Sequence, residues 1–128
     1  MDRHELLERL TDFAVRIILL VRTLPRDAAG WTVGRQIVRS GTSIVSNVEE
    51  AFGTATRPDF LSKYVIARKE ARETLRWLII VDRAKLVPHD ALESLMTEAN
   101  EIVAILTRSV MTIQRRTDPR NPSADAGA

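Results

Sequence analysis

Four glutamates are the side chains with the clearest capacity for chemistry. They are Glu49, Glu50, Glu70 and Glu73. Carboxylates on facing helices of a bundle can hold two iron ions, but that site also needs a histidine three residues after a glutamate on two of the helices. His4 and His89 are the two histidines of the chain, and neither follows a glutamate at this spacing. The sequence therefore argues against a di-iron centre.

Other catalytic groups are also missing from the sequence. The chain has no cysteine, which excludes thiolate metal sites, disulfides and a thiol nucleophile. Its five glycines are scattered and form no phosphate-binding loop. No nucleophile stands beside a recognisable base. We therefore predict a protein without enzymatic activity, metal or cofactor.

A row of basic residues in the second half of the chain points to a different chemistry. The row comprises Lys63, Arg68, Lys69, Arg72, Arg76 and Arg83. Its four arginines form an arginine stripe, because they project within about 80° of one another on a helix. Guanidinium groups grip phosphates bidentately, so a polyanion laid along this helix would meet several cations. The six residues are therefore predicted contacts for RNA or DNA.

The alternative to a nucleic-acid site is that this helix face is solvated and that its charged side chains pair with one another. Glu70, Glu73 and Asp82 interleave with the arginine stripe, and mixed charges at helical spacing commonly form such a face. Residues 58–87 nevertheless hold seven basic and four acidic side chains, whereas the whole chain has a net charge of +2. The positive excess is thus concentrated in this segment.

A second row of polar side chains lies beside an apolar helix face. It comprises Gln36, Ser40, Ser43, Asn47 and Glu50. This position predicts partial burial, and buried polar groups need hydrogen-bond partners. We expect bonds to carboxylates of the next helix or to a neighbouring subunit, with a ligand site as the alternative. Gly34 and Gly41 would let two helices approach closely in this region.

Apolar residues recur at helical spacing through almost the whole chain, which predicts an all-α fold. The first helix carries a stripe from Leu6 to Leu24 and ends at Pro25. After a turn over residues 25–30, Thr32 is the predicted N-cap of the second helix. Gly53 is the predicted end of that helix.

The third and fourth helices have stronger start signals. Thr56 offers an N-cap hydroxyl, followed by Pro58 in the first turn, and this helix is predicted to run to about Leu86. Pro88 and Asp90 open the fourth helix. Short connections favour an antiparallel up-and-down four-helix bundle over residues 1–116. Residues 117–128 lack periodicity and are predicted to be a disordered tail.

The composition predicts a cytoplasmic location without membrane association. Hydrophobic residues make up 45% of the chain, which is ordinary for a globular protein. The longest apolar runs, at 17–21 and 77–81, are far short of the roughly 20 residues needed to span a bilayer. The N-terminus, with Asp2, Glu5 and Glu8 ahead of its apolar residues, lacks the basic flank and apolar stretch of a secretory signal.

The third helix has a second apolar face. Ile66, Trp77, Ile80 and Val81 project nearly opposite to its main apolar arc. A single four-helix core cannot cover both faces, so we expect these residues to form an interface between copies of the chain. The alternative to such an interface is that the third helix lies at the centre of an asymmetric bundle.

Three segments carry a family resemblance, namely SIVSNVEE at 43–50, TRPDF at 56–60 and ARKEARETLRWL at 67–78. They resemble bacterial four-helix-bundle proteins encoded within intervening sequences of large-subunit ribosomal RNA genes. In that family a Ser-Ile-x-x-Asn-Ile-x-Glu-Gly stretch ends the second helix and a Ser-x-x-Glu-Phe start opens the third. One branch carries Lys-Glu-Ala-x-Glu-Thr before Trp-Leu. The similarity covers about residues 5–114.

The resemblance implies a homopentameric ring but no known activity. By position it assigns a motif network of polar residues to Ser43, Asn47, Glu50, Glu70 and Glu73. Related accessory proteins of diversity-generating retroelements share the fold, and there the basic pentamer binds a reverse transcriptase and nucleic acid. The hypothesis is therefore a non-enzymatic accessory protein associated with RNA or DNA. The alternative is a protein–protein scaffold that presents Ser43, Asn47 and Glu50 to a partner and binds no nucleic acid.

Overall fold

A computed structural model describes residues 1–120 as four α-helices and one 3-10 turn. The helices are α1 (Arg3–Val21), α2 (Ala28–Phe52), α3 (Arg57–Arg83) and α4 (Glu93–Thr117), with the 3-10 turn at His89–Ala91. No strand occurs within the described residues. The all-α prediction is confirmed. The predicted tail begins inside α4, because Thr117 is helical, and its residues 121–128 lie outside the described part.

Side-chain caps fix where the first three helices begin. Asp2 forms a capping box with Glu5 at the start of α1. The Oγ1 atom of Thr56 accepts a hydrogen bond from the backbone N–H of Asp59 at 3.3 Å, which confirms the predicted start of α3. The predicted N-cap Thr32 is wrong, because Asp27 caps α2 by accepting from the Gly30 N–H at 2.9 Å. An aspartate carboxylate suits a helix start because it also complements the positive end of the helix dipole.

The connection between α3 and α4 is longer than the sequence predicted. α3 ends at Arg83 rather than near Leu86, and Lys85 adopts a left-handed backbone conformation with φ of 57°. The N–H of Leu86 then donates to the Val81 carbonyl at 3.1 Å, which closes the helix end. α4 begins at Glu93, after the 3-10 turn, rather than at Pro88.

The four helices pack around one apolar core, and each helix lies against its neighbours in sequence. The largest fully buried side chains of this core include Leu10, Phe13, Ile17, Ile37, Ile44, Leu78, Leu92, Ile102 and Leu106. This arrangement is the predicted four-helix bundle. None of the helices in residues 1–120 is both long and apolar enough to cross a membrane.

Two glycines bring α1 and α2 together. A Cβ atom on Gly41 would lie 2.9 Å from Cγ2 of Ile17, and one on Gly34 would lie 3.0 Å from Cγ1 of Val21. Both distances are shorter than ordinary carbon contacts, so larger residues would push the helices apart. The predicted close approach at these glycines is confirmed.

The contact between α1 and α4 has a polar outer edge. The guanidinium of Arg9 donates to Glu98 through Nε at 2.9 Å and through Nη2 at 2.7 Å, and Nη2 also donates to Glu101 at 2.6 Å. Two helical turns further along α1, Arg16 donates to the Ser94 hydroxyl at 2.7 Å. We call these five residues the polar seam.

Candidate nucleic-acid interface

The arginine stripe lies on the outer side of α3. Arg72, Arg76 and Arg83 are exposed and Arg68 is half-buried, while the neighbouring Lys69 is also exposed. Burial on α3 falls on the opposite arc, which includes the core residue Leu78 and therefore turns the stripe toward solvent. Within residues 1–120, none of these five side chains forms an ion pair or hydrogen bond with another side chain.

The carboxylates that interleave with the stripe in sequence are paired with groups elsewhere. Arg39 of α2 forms ion pairs with Glu70, at 3.0 Å between Nη1 and Oε2, and with Glu73. Asp82 lies 2.8 Å from Nδ1 of His89. This hydrogen bond and the charge of Asp82 raise the pKa of His89 above its ordinary value. The acidic residues of α3 therefore do not neutralise the stripe.

Lys63 stands apart from the other predicted phosphate contacts. Its Nζ atom lies 2.7 Å from Oε2 of Glu50, so it forms an ion pair between α2 and α3. Within residues 1–120, the predicted basic row is thus divided between a paired lysine at the α2–α3 contact and five cations on the outer face that pair with no side chain.

The motif network splits into separate contacts. Nδ2 of Asn47 donates to the Ser43 carbonyl at 2.8 Å and to the Ser43 hydroxyl at 3.1 Å, so these two residues bond within α2. The buried Thr74 hydroxyl of α3 donates to the Ser40 hydroxyl of α2 at 2.8 Å. Within residues 1–120, the polar residues predicted on α2 do not bond to Glu70 or Glu73 of α3. The residue of α2 that bonds to these glutamates is Arg39. In the described part of the chain, no buried side-chain nitrogen or oxygen lacks a partner.

The sequence pattern alone does not single out Arg39, whose partners lie 31 and 34 positions away. One signal was present, since Glu70 falls near the apolar arc of α3 and a buried carboxylate needs a cation or donors. An arginine on the edge of α2 that faces α3 meets that need.

The four predicted interface residues have different surroundings. Ile66 and Ile80 expose 37% and 40% of their surface. Trp77 is half-buried and its indole N–H donates to Glu73 Oε2 at 3.2 Å. Val81 is fully buried in the core of its own bundle, so its assignment to a contact between copies is wrong. Helical projection misplaced Val81 because the covered arc of α3 is wider than one stripe.

The structure also exposes apolar residues that the sequence analysis did not select. Apart from Met1 at the first position, they are Val15, Ile18, Leu19, Trp31 and Met111. Four of the five lie on α1 or in the first turn of α2. No group of three side chains able to hold a metal ion occurs among the described residues.

A family model described as 23S rRNA-intervening sequence protein matches residues 3–108. The chain belongs to this family. The resemblance that the three sequence segments indicated is therefore confirmed. In the described part of this chain, the motif glutamates of α3 pair with Arg39, and the arginine stripe lies on the outer side of the helix.

A solved structure is also similar to this intervening sequence protein over most of its length. The chain is similar to a crystal structure from Bacteroides thetaiotaomicron, described as a protein with unknown function from the S23 ribosomal protein family. The identity is 36%, the match covers 81% of this chain and 96% of that chain, and the TM-score is 0.76. Comparison with curated proteins gives no match.

Proposed function

We propose that this intervening sequence protein is a non-enzymatic, cytoplasmic accessory protein that binds nucleic acid, RNA in the first instance, as a homo-oligomer. The arginine stripe carries the phosphate contacts. The observation that supports this function is the state of the charges on α3. The four arginines of the stripe pair with no other side chain in residues 1–120, while Glu70 and Glu73 are paired with Arg39.

Charge separation on one helix favours a polyanion as the ligand. Paired carboxylates repel an approaching phosphate less than unpaired ones, because their charge is compensated at short range. Arginines at successive turns can then contact successive phosphates and release counterions. The family description refers to intervening sequences of 23S rRNA, which agrees with an RNA-associated role. By analogy with the retroelement accessory proteins, the proposed protein partner is a reverse transcriptase.

The proposed assembly is a homopentameric ring, as the family resemblance implies. Ile66 and Ile80 supply exposed apolar surface on α3, and Trp77 adds the half-buried ring beside them. Burial of this face against another copy would remove apolar surface from water. Repetition of the arginine stripe around a ring would raise the avidity for a long strand.

Binding to RNA across a salt series tests the proposed function. We expect the wild-type protein to bind single- and double-stranded RNA with an affinity that falls steeply as salt rises. Reversal of two stripe residues, Arg72→Glu with Arg76→Glu, should abolish binding at moderate salt and lower the log–log salt slope by about two. Light scattering on the same samples gives the mass of the particle.

The matched control places the same charge change elsewhere. Arg115→Glu with Arg116→Glu reverses two exposed cations in the last turn of α4. This variant should retain a larger part of the affinity than the stripe variant. Equal losses in the two variants would contradict a localised site. Absence of binding by the wild type at low salt would overturn the proposal and favour the protein–protein scaffold.

A further inference from the structure

A recess of about 700 Å³ opens between the end of α1 and the first turns of α2. Val21, Leu24 and Val38 form the apolar part of its lining. Trp31 also lines it, and 59% of the surface of this residue is exposed. An indole ring exposed to this degree offers a large flat apolar surface to a ligand or partner.

The polar part of the recess lining is cationic. Arg22, Arg26 and Arg35 line it, and within residues 1–120 they form no ion pair or side-chain hydrogen bond. Arg39 lines the same recess but is paired with Glu70 and Glu73. The lining contains no aspartate or glutamate. As far as residues 1–120 show, the recess therefore combines an exposed aromatic ring with three cations that have no counter-charge.

We propose that this recess binds an unpaired nucleobase of single-stranded RNA or DNA, which stacks on Trp31 while the flanking phosphates bind Arg22, Arg26 and Arg35. The proposal deepens the nucleic-acid role and rests on it. Every base has a flat π-face, so an exposed indole can accept it without regard to sequence. Trp31 and Arg35 lie four residues apart on α2, which places base and phosphate contacts on one side of the helix.

The arginine stripe cannot supply this contact. Tyr64 of α3 is buried, and Trp77 is half-buried with its indole N–H donated to Glu73. The stripe can therefore hold phosphates but offers no exposed ring for stacking. Duplex and single strands would both bind the stripe, whereas only a strand with unpaired bases would also use the recess.

A second copy of the chain is a poorer occupant. Apolar surface placed over the recess would bury three guanidinium groups without counter-charges, and an uncompensated buried charge is strongly unfavourable. A single strand supplies both complements at once, since it carries phosphates and flat bases along the same backbone.

Tryptophan fluorescence of the full chain tests the stacking directly. The sequence has two tryptophans, so Trp77→Phe leaves Trp31 as its single indole. Addition of a ten-residue oligouridylate to this variant should quench Trp31 emission, and an equally long RNA duplex should quench it much less. Trp31→Ala should weaken oligouridylate binding about tenfold or more. Trp31→Phe should retain most of the affinity, since a phenyl ring can still stack.

The matched control is Met111→Ala, which removes an equally exposed apolar side chain from α4. It should leave oligouridylate affinity unchanged. The inference would be overturned if Trp31→Ala bound oligouridylate with wild-type affinity and saturating oligouridylate did not quench Trp31 emission in Trp77→Phe. A loss of particle mass in Trp31→Ala would overturn it in favour of a second copy. Quenching by polyglutamate but not by oligouridylate would overturn it in favour of an acidic peptide.

These outcomes separate the recess from the stripe. If Trp31→Ala has no effect while Arg72→Glu with Arg76→Glu abolishes binding, the recess inference fails and the proposed function stands. If the wild type binds neither oligouridylate nor duplex at low salt, both fail.

Discussion

At the scale of single residues, Arg39 has the largest structural role that the sequence did not predict. It joins α2 to two glutamates of α3, and one of them, Glu70, exposes only 12% of its side chain. A buried carboxylate that loses its cation keeps its desolvation cost without compensation. Arg39 therefore stabilises the bundle mainly because its removal would leave Glu70 buried without a compensating cation.

We expect Arg39→Met to lower the free energy of unfolding by about 1–3 kcal/mol, because Glu70 would remain buried and unpaired. Urea denaturation followed by circular dichroism measures the change. Arg35→Met, one turn earlier on α2, removes an exposed arginine without a side-chain partner in residues 1–120. Its effect should be within about 0.5 kcal/mol. Equal losses in both variants would show that the ion pairs contribute no net stability.

Gly30 is the second residue with a strict local requirement. A Cβ atom there would lie 1.8 Å from the Pro25 carbonyl oxygen, which is a backbone atom and cannot rotate away. Gly30→Ala should therefore destabilise the protein by about 1–3 kcal/mol, measured as a fall in urea midpoint at constant slope. Gly53→Ala is the matched control, because its Cβ would lie 3.5 Å from the Glu50 carbonyl oxygen, an ordinary contact. If Gly30→Ala left the urea midpoint unchanged, the backbone of the turn would have to shift at little cost in free energy.

At the scale of the helices, the polar seam makes the contact between α1 and α4 sensitive to acid. The hydrogen bond from Arg9 lowers the pKa of Glu98 below its ordinary value of 4.5. A carboxylate with a lowered folded-state pKa stabilises the fold above its unfolded pKa, and this stabilisation is lost as pH falls through the folded value.

The difference in unfolding free energy between wild type and Glu98→Gln should therefore be largest above about pH 5.5 and should shrink as the pH falls below 4.5. Urea denaturation at a series of pH values measures it. Glu8→Gln removes an exposed carboxylate from α1 and is the control, for which we expect only a small difference in the free energy of unfolding. If the difference in unfolding free energy between wild type and Glu98→Gln stayed constant down to pH 3, this result would contradict the role of the ion pair.

The sequence predicts helix positions best where the signal is local. Thr56 and the following proline specify the start of α3 through a cap within four residues, and the structure confirms it. The predicted turn over residues 25–30 is too long, because α2 begins at Ala28 after the cap Asp27 and already contains Gly30. The actual role of Gly30, close passage of the Pro25 carbonyl, depends on chain folding that a helical pattern does not encode.

At the scale of the whole molecule, the exposed apolar residues of α3 bear on the number of subunits. Ile66→Glu with Ile80→Glu places two charges on this face without touching the buried core. We expect the variant to remain helical but to lose mass in light scattering, because buried charges disfavour association. Met111→Glu, on a residue of α4 that is 61% exposed, should leave the mass unchanged. An unchanged mass for the double variant would place the contact between copies elsewhere.

The bundle and the candidate site were predictable to different degrees. Helical periodicity and short connections specify a four-helix bundle, because each helix buries one apolar stripe. The outward position of Arg72 and Arg76 also follows from periodicity. The pairing of Glu70, the burial of Val81 and the recess beside Trp31 depend on how helices pack side by side, which one helix alone does not specify.

An even number of alternating helices has a topological consequence for this bundle. Arg3 at the start of α1 and Arg116 near the end of α4 line one recess, so both ends of the bundle chain emerge at the same side. A circular permutant could therefore join α4 to α1 through a short flexible linker and open the chain at Thr54, between α2 and α3. It should keep the helical content of the parent in circular dichroism. Fusion partners attached at either end would likewise project away from the opposite end, where Trp31 and its recess lie.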